Sequence, residues 1–306
     1  MKAVVTGATG FVGKWLVEEL LRQGDEVTVI VRNSNSVPCN WKTQVHIVEA
    51  SLEQLSHLTV NDFNMATADM FFHFAWAGTS GMDRADTEMQ LANVQYACDA
   101  VRLASILNCK RFVNAGSIME YEAMAYVPQD TTKPGMGYIY SIAKLTADCM
   151  AKTVATKEKI GYINVIISNI YGIGEKSARF LNTTMRKMLN NERIPLTHGE
   201  QLYDFIYVED AVKAIILAGK EGIENSSYYI GNVDQKPLKE YIVEMRDVLK
   251  SVSELAFGEV PFVGPRLTYH EFSTRGLTEL GFFPAVSFAE GIKLTKDWMV
   301  EVENEF

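Results

Sequence analysis

Long hydrophobic runs are missing from this 306-residue chain. No apolar stretch approaches the ~18–20 residues that a membrane span requires, so no transmembrane helix is expected. Signal-peptide anatomy is also missing, because Met1 leads straight into Lys2-Ala3-Val4-Val5-Thr6 and a glycine turn. A cytoplasmic location is the expectation that follows. Basic residues are in the minority, with 29 Lys and Arg against 38 Asp and Glu, a formal net charge of −9 and a pI near 5.2. That balance argues against general nucleic-acid binding, which needs a basic face, but a few local cations still suffice for an anionic small molecule. Cysteine is sparse and scattered: Cys39, Cys98, Cys109 and Cys149 form no CxxC pair. His46, His57, His73, His198 and His270 show no metal-ligand spacing, so neither a disulfide nor a bound metal is expected. Repeats, low-complexity tracts and Pro/Gly-rich linkers are absent as well.

What is present is a globular composition, 47% hydrophobic and 22% charged, in a chain long enough for one large α/β domain and a smaller lobe. Short β-branched runs alternate with helical periodicity through the first two-thirds, which predicts βαβ units and a parallel sheet. Strands are expected at residues 2–6, 26–31, 46–49, 70–74, 111–115 and 162–168, and helices at 14–23, 91–107 and 141–156. Beyond about Ile170 the pattern loosens into strands at 199–207 and 227–230 and helices at 238–252 and 288–302. The expectation is a Rossmann-type doubly wound α/β domain over residues 1–170, followed by a mainly substrate-binding C-terminal α/β lobe over 171–306. Such a lobe closes over the carboxyl ends of the parallel strands, where ligands bind in these sheets.

Three glycines, Gly7, Gly10 and Gly13, stand in a GxxGxxG between the first strand and the first helix. Glycine permits a tight turn and a close approach of backbone to pyrophosphate, and the helix start turns N–H groups and a positive dipole end toward it. Three glycines alone could be an ordinary turn. Their place after the first strand predicts dinucleotide binding through Gly7, Thr9, Gly10, Phe11, Val12 and Gly13. At the end of the second strand the chain reads Val31-Arg32-Asn33-Ser34, with no carboxylate to hold a ribose hydroxyl. Arg32 and Ser34 would accept a 2′-phosphate, so NADP(H) is favoured with NAD(H) as the alternative, unless Arg32 is a plain surface charge.

Tyr140 and Lys144 form a YxxxK on a predicted helix, one turn apart on one face. A neighbouring ammonium favours the phenolate, so such a tyrosine can exchange a proton with a carbonyl or hydroxyl while hydride moves at the adjacent carbon. Upstream, Ser117 ends the fifth strand, where its hydroxyl could polarise a substrate oxygen or merely cap a helix.

With these motifs in place the chain resembles the extended short-chain dehydrogenase/reductase family, of the nucleotide-sugar epimerase/dehydratase/reductase kind. The resemblance covers nearly the whole chain. It is carried by the glycine turn, His73-Phe74-Ala75, Asn93, Ser117 and Tyr140 with Lys144, then Asn169-Ile170-Tyr171-Gly172, Asp204-Phe205-Ile206-Tyr207-Val208 with Asp210, and Leu280-Gly281-Phe282-Phe283-Pro284. It implies a triad in which Ser117 orients the substrate oxygen, Tyr140 exchanges its proton and Lys144 also holds the nicotinamide ribose. Phe74, Ala75, Trp76 and Asn93 would adjoin the cofactor, and Asn169 the substrate's phosphate or sugar. Asn169 could equally be a turn residue. The segment 204–232 would fold back onto the cofactor domain, and two long helices per subunit would form a homodimer.

Several positions depart from that pattern. Ser51 stands where relatives often carry an Asp toward adenine, and Tyr203 where many carry a diphosphate-clamping Arg. Arg266, Arg179 and Lys176 remain as candidates for the diphosphate, or as solvated surface charges. Trp76, Gly78, Thr79, Met119 and Tyr171 are expected to line the pocket. The 4,6-dehydratases need an Asp-Glu pair directly after the triad hydroxyl, whereas Ile118 and Met119 follow Ser117 and cannot transfer protons. Dehydration is thus disfavoured. Reduction of a keto-deoxysugar nucleotide by NADPH is the leading expectation, C4 epimerisation with tightly held NAD the second. A non-catalytic NADP-sensing protein is the third, disfavoured because Ser117, Tyr140 and Lys144 are all kept.

Overall fold

The first strand, Lys2–Thr6, is apolar on both faces, and Ala3, Val4 and Val5 are fully buried. Unbroken apolar runs of this kind belong to the interior of a parallel sheet covered on both sides. The computed structural model describes residues 1–63, 65–126, 135, 137–263 and 266–304. In chain order its elements begin with β1 (Lys2–Thr6), α1 (Phe11–Arg22), β2 (Glu26–Val31), β3 (Val45–Glu49) and β4 (Met70–His73). Next come α2 (Thr87–Ile106), β5 (Arg111–Ser117), α3 (Met119–Tyr126), α4 (Tyr138–Glu158) and β6 (Gly161–Ile167). They continue through β7 (Asn169–Tyr171), α5 (Phe180–Leu189), β8 (Ile194–Leu196), β9 (Leu202–Tyr203), β10 (Phe205–Tyr207) and α6 (Val208–Glu221). The last are β11 (Ser226–Ile230), β12 (Lys236–Pro237), α7 (Leu238–Leu249), β13 (Leu255–Phe257), α8 (Arg275–Glu279) and α9 (Phe288–Asn304).

Seven strands form one sheet in the order β11-β6-β5-β4-β1-β2-β3. The strand order reverses between β4 and β1, and β1 pairs in parallel with both β2 and β4. This is the doubly wound arrangement in which a ligand crevice opens at the carboxyl ends of the strands. The six strands expected from the sequence are all present. The expected strand at 199–207 is broken into β9 and β10, and the helices α3, α5, α6 and α8 went unforeseen.

The chain packs as two compact units, Met1–Ile167 with Val212–Tyr229, and Ser168–Ala211 with Ile230–Phe306. Of the segment expected to fold back, only 212–229 joins the first unit. In that unit α2 and α4 share an apolar core with the sheet, presenting Ala97, Ala100 and Ala104 from one helix and Ala143, Ala147, Ala151 and Ala155 from the other. Alanine at every third or fourth position lets the backbones approach closely, while Leu91, Ile106, Ile142 and Met150 on the same two helices remain exposed. Arg111 ties the end of α6 to β5 by donating to the carbonyls of Gly219 and Gly222, at 2.9 and 2.8 Å. The second unit centres on Tyr171, Phe205, Tyr241 and Phe288, whose rings meet edge-on or tilted. Among the described residues, no helix is long and apolar enough to cross a membrane.

Candidate active site

The glycine turn is built by close backbone contact. Gly7 takes a φ of +72°, and a Cβ on it would lie 2.5 Å from the carbonyl carbon of Phe74. The turn closes through Gly10 N–H donating to Gly7 O at 3.0 Å, and α1 starts at Phe11 with no capping side chain and no acid in its first turn. A helix start without its own anion or cap is suited to a phosphate. Thr9, Phe11 and Val12 flank it, half-buried. Under the turn, the Thr6 hydroxyl meets His73 Nδ1 at 2.9 Å and accepts the N–H groups of Phe74 and Ala75. Burial pulls the His73 imidazole down to about 3, so this support is neutral. A nicotinamide dinucleotide fits these residues, because the cradle is one that side chains would fill.

At the far end of the sheet Arg32 is exposed after β2. Ser34 is already engaged, its backbone N–H donating to Glu49 Oε2 at 2.8 Å. That bond, with one from the Ser34 side chain, holds the Glu49 carboxyl below its usual range. Glu49 was missed in the sequence because its place at the end of β3, across from Val31, is a matter of register. Ser51, expected near adenine, caps the short 3-10 helix Leu52–His57, its own N–H donating to Gln54 Oε1 at 2.8 Å.

The Tyr140–Lys144 pair lies on α4 as the spacing predicts. Both side chains are buried, each 6% exposed. Lys144 Nζ donates to Ala115 O at 2.9 Å and stands 3.7 Å above the Trp76 ring and 6.0 Å from the centre of the Tyr140 ring. Trp76 meets Tyr140 edge-on at 6.1 Å. Burial lowers the Lys144 ammonium, with Glu120 opposing and Arg84 reinforcing that shift. Arg84 was absent from the sequence reading. Its guanidinium carbon sits 4.3 Å from the centre of the Tyr140 ring.

Asn93, expected beside the cofactor, is 1% exposed, and its amide is spent on Ala77, accepting from its N–H and donating to its carbonyl, each at 2.9 Å. It shapes the loop after β4 rather than presenting a free group. Its neighbour one turn back, Gln90, does likewise: it donates to Gly78 O and Asp83 O at 2.9 and 3.0 Å, and accepts from Trp76 Nε1 at 2.9 Å. Thr79 lies on the same loop.

Ser117 closes β5, and its hydroxyl accepts the Met119 N–H at 3.2 Å. Behind it lies a buried carboxyl three residues further on. Glu120, 2% exposed, accepts the Ser117 N–H at 2.7 Å and an Asn164 amide hydrogen at 3.1 Å. Asn164 in turn accepts from Asn114 at 2.9 Å. Burial, with the nearby Asp148 charge, raises the Glu120 carboxyl well above its ordinary range. Its oxygens are committed to the backbone and Asn164, not to the Ser117 hydroxyl. Ile118 and Met119 remain the only side chains between the two.

In the second unit, Asn169 donates to Asp204 O at 3.0 Å, and Asn169 and Arg179 border one small cavity with Phe180 and Tyr203. Arg179 stands 3.8 Å from Glu175, and Lys176 is exposed. Tyr171 borders the same cavity; it is 2% exposed, donates its hydroxyl to Phe288 O at 3.2 Å and packs within the aromatic core. Arg266 is exposed, 3.5 Å from Glu200, and does not border that cavity.

A doubly wound sheet, a phosphate-ready glycine turn and a buried Tyr–Lys pair bonded to β5 through the Ala115 carbonyl define an enzyme of the extended short-chain dehydrogenase/reductase class, dependent on NAD(P). The chain belongs to the NAD dependent epimerase/dehydratase family, whose model matches residues 3–231. It is 24% identical over 296 residues to a CDP-abequose synthase of Salmonella muenchen, covering 95% of this chain and 96% of that protein. It is 26% identical over 330 residues to a UDP-N-acetyl-alpha-D-glucosaminuronate decarboxylase of Bacillus cytotoxicus, covering 99% of each. Among solved structures, UDP-glucose 4-epimerase of Thermotoga maritima with UDP-glucose is similar with a TM-score of 0.80 at 20% identity, over 99% of this chain and 100% of that one. At that identity the likeness speaks for the fold.

Proposed function

We propose that the protein reduces a keto-deoxysugar carried on a nucleoside diphosphate, with NADPH as reductant and Tyr140 as proton donor. One observation carries the reading: a buried phenol with two cationic side chains at its ring, in the unit that also holds the glycine turn. The dinucleotide supplies hydride when bound. The 7–13 turn would hold its diphosphate, Arg32 its 2′-phosphate, Phe74 to Trp76 its ring system and Lys144 its ribose. Tyr140 gives its proton to the substrate oxygen as negative charge develops there, and the adjoining cations stabilise the phenolate left behind. Ser117 orients that oxygen through its hydroxyl. Asn169 and Arg179 would meet the nucleotide part of the substrate, while Met119 would border the sugar. The exposed Leu91, Ile106, Ile142 and Met150 support a homodimer through α2 and α4, which sedimentation would detect as twice the chain mass.

Relatives named for CDP- and UDP-linked sugars support the substrate class, and the absence of an acid pair after Ser117 supports reduction over dehydration. The test is a panel of keto nucleotide sugars with NADPH. Wild type should consume NADPH, and Tyr140→Phe should lose about 10²–10⁴-fold in turnover while still binding cofactor. Full turnover in that variant would overturn the reading.

One observation favours C4 epimerisation with NAD. Glu49 accepts the Ser34 N–H, which sets a carboxylate against a residue that the NADPH reading assigns to the 2′-phosphate. Isomerisation of a nucleotide sugar with co-purified NAD, and no net oxidation of NADPH, would establish that alternative.

A further inference from the structure

We propose that Arg84 is a positioning residue that acts through Tyr140: its guanidinium, held over the phenol ring, supplies the permanent positive charge that acidifies this tyrosine. The inference rests on the reading of Tyr140 as the proton donor.

The geometry is deliberate. Arg84 lies on the single helical turn Gly81–Ala85 between β4 and α2, with its guanidinium carbon 4.3 Å from the Tyr140 ring centre. Its Nε is buried without a hydrogen-bond partner among the described residues, and the Glu122 carboxyl lies close enough to feel its charge. A surface loop would not hold an arginine in this way unaided. Here the loop is pinned from beneath by the fully buried Gln90, which donates to the carbonyls of Gly78 before the turn and Asp83 within it. Asn93 clamps Ala77 from both sides, and Asp86 caps α2 by accepting the Met89 N–H at 3.0 Å. Gly78 takes a φ of +67°, and a Cβ there would come within 2.6 Å of Met89 Sδ and 2.9 Å of Gln90 Nε2. These contacts fix the height of Arg84 above Tyr140.

The charge matters because Arg84 stands nearer the ring than Lys144 does, at 4.3 against 6.0 Å from its centre. Lys144 is buried and its own charge is disfavoured by desolvation. An arginine guanidinium keeps its charge at any pH a folded protein experiences. Among the described residues, Glu120 from α3 and His73 from β4 act on Lys144, Asp148 from α4 acts on Glu120, and Glu122 from α3 faces Arg84. Burial raises Glu120, Glu122 and Asp148 and neutralises His73, so none replaces a fixed cation. A cation at this range and partial exposure should lower a phenol by about one to two pH units.

The experiment is an NMR titration of the substrate-free protein with tyrosine isotopically labelled at Cζ, the Tyr140 signal being identified by its loss in Tyr140→Phe. In wild type Tyr140 should ionise below an ordinary phenol. Arg84→Gln should raise its midpoint by about one to two pH units, and Arg84→Lys should restore most of the difference. Lys144→Met should leave Tyr140 still below the ordinary value. An unmoved midpoint in folded Arg84→Gln, or an equal rise in Arg84→Lys, overturns the inference. If Arg84→Gln does not fold, the Lys144→Met titration decides, since a return to an ordinary phenol there assigns the whole effect to Lys144. No substrate is needed. A low midpoint in a protein inactive toward keto nucleotide sugars therefore defeats the functional reading alone, and an ordinary midpoint in an active reductase defeats this inference alone.

Discussion

Gly13 lies so close to Gly7 that a Cβ placed on it would stand 2.1 Å from the Gly7 carbonyl oxygen. The helix start and the preceding turn are thus wedged together, and the spacing of two glycines sets the height at which amides face a phosphate. Gly13→Ala should force the turn open. We expect a loss of about 1–3 kcal/mol in stability and weakened NADH or NADPH binding, read by thermal unfolding with and without cofactor. Unchanged cofactor-induced stabilisation would show that the turn does not hold the diphosphate.

Glu120 makes stability depend on pH in a direction opposite to most carboxylates. Burial raises its folded-state pKa, so above the ordinary carboxylate value of about 4.3 the native state holds a proton that the unfolded chain has lost. Stability from this group is full below that value and declines as pH rises through the raised one. Lys144 has the opposite sign, since its lowered pKa makes the native state bind fewer protons and stability rise with pH toward the unfolded lysine value. Replacing the acid by Glu120→Gln should therefore remove the declining limb from a plot of melting temperature against pH. Parallel plots for the two proteins would disprove it.

Glu49 and Arg32 should pull cofactor preference in opposite directions. Glu49→Gln removes a carboxylate from the Ser34 N–H and should favour NADPH over NADH by about 10-fold or more, the worth of one charge-assisted hydrogen bond. Arg32→Ala should shift the ratio the other way. Binding titrations with both nucleotides measure it, and a ratio unmoved by both changes would remove this region from the cofactor site.

Gln90 is the pin beneath the loop that carries Arg84. Gln90→Leu leaves the Gly78 and Asp83 carbonyls and the Trp76 indole N–H without their partner. Stability should fall by about 1–3 kcal/mol, and Trp76 fluorescence should change because its indole loses its acceptor.

Tyr171→Phe removes only the hydroxyl donated to Phe288 O. It should cost about 1 kcal/mol in thermal unfolding and leave kcat and KM untouched. A rise in KM would instead give the Tyr171 hydroxyl a part in binding substrate.

Local pattern alone determined a good deal of this protein. The apolar strand runs, the GxxGxxG at the β1–α1 junction and the one-turn spacing of Tyr140 and Lys144 are all written over a few adjacent residues, where backbone sterics and periodicity act directly. Tertiary structure decided what depends on residues far apart in the chain meeting. Register across β2 and β3 brought Glu49 to Ser34, fifteen residues back. Folding of the β4–α2 loop over α4 laid Arg84 on Tyr140, and burial behind β5 turned Glu120 into a neutral prop for Ser117. Desolvation and charge–ring contact have no periodicity to read, because their strength depends on what surrounds a group in space and not on what adjoins it in the chain.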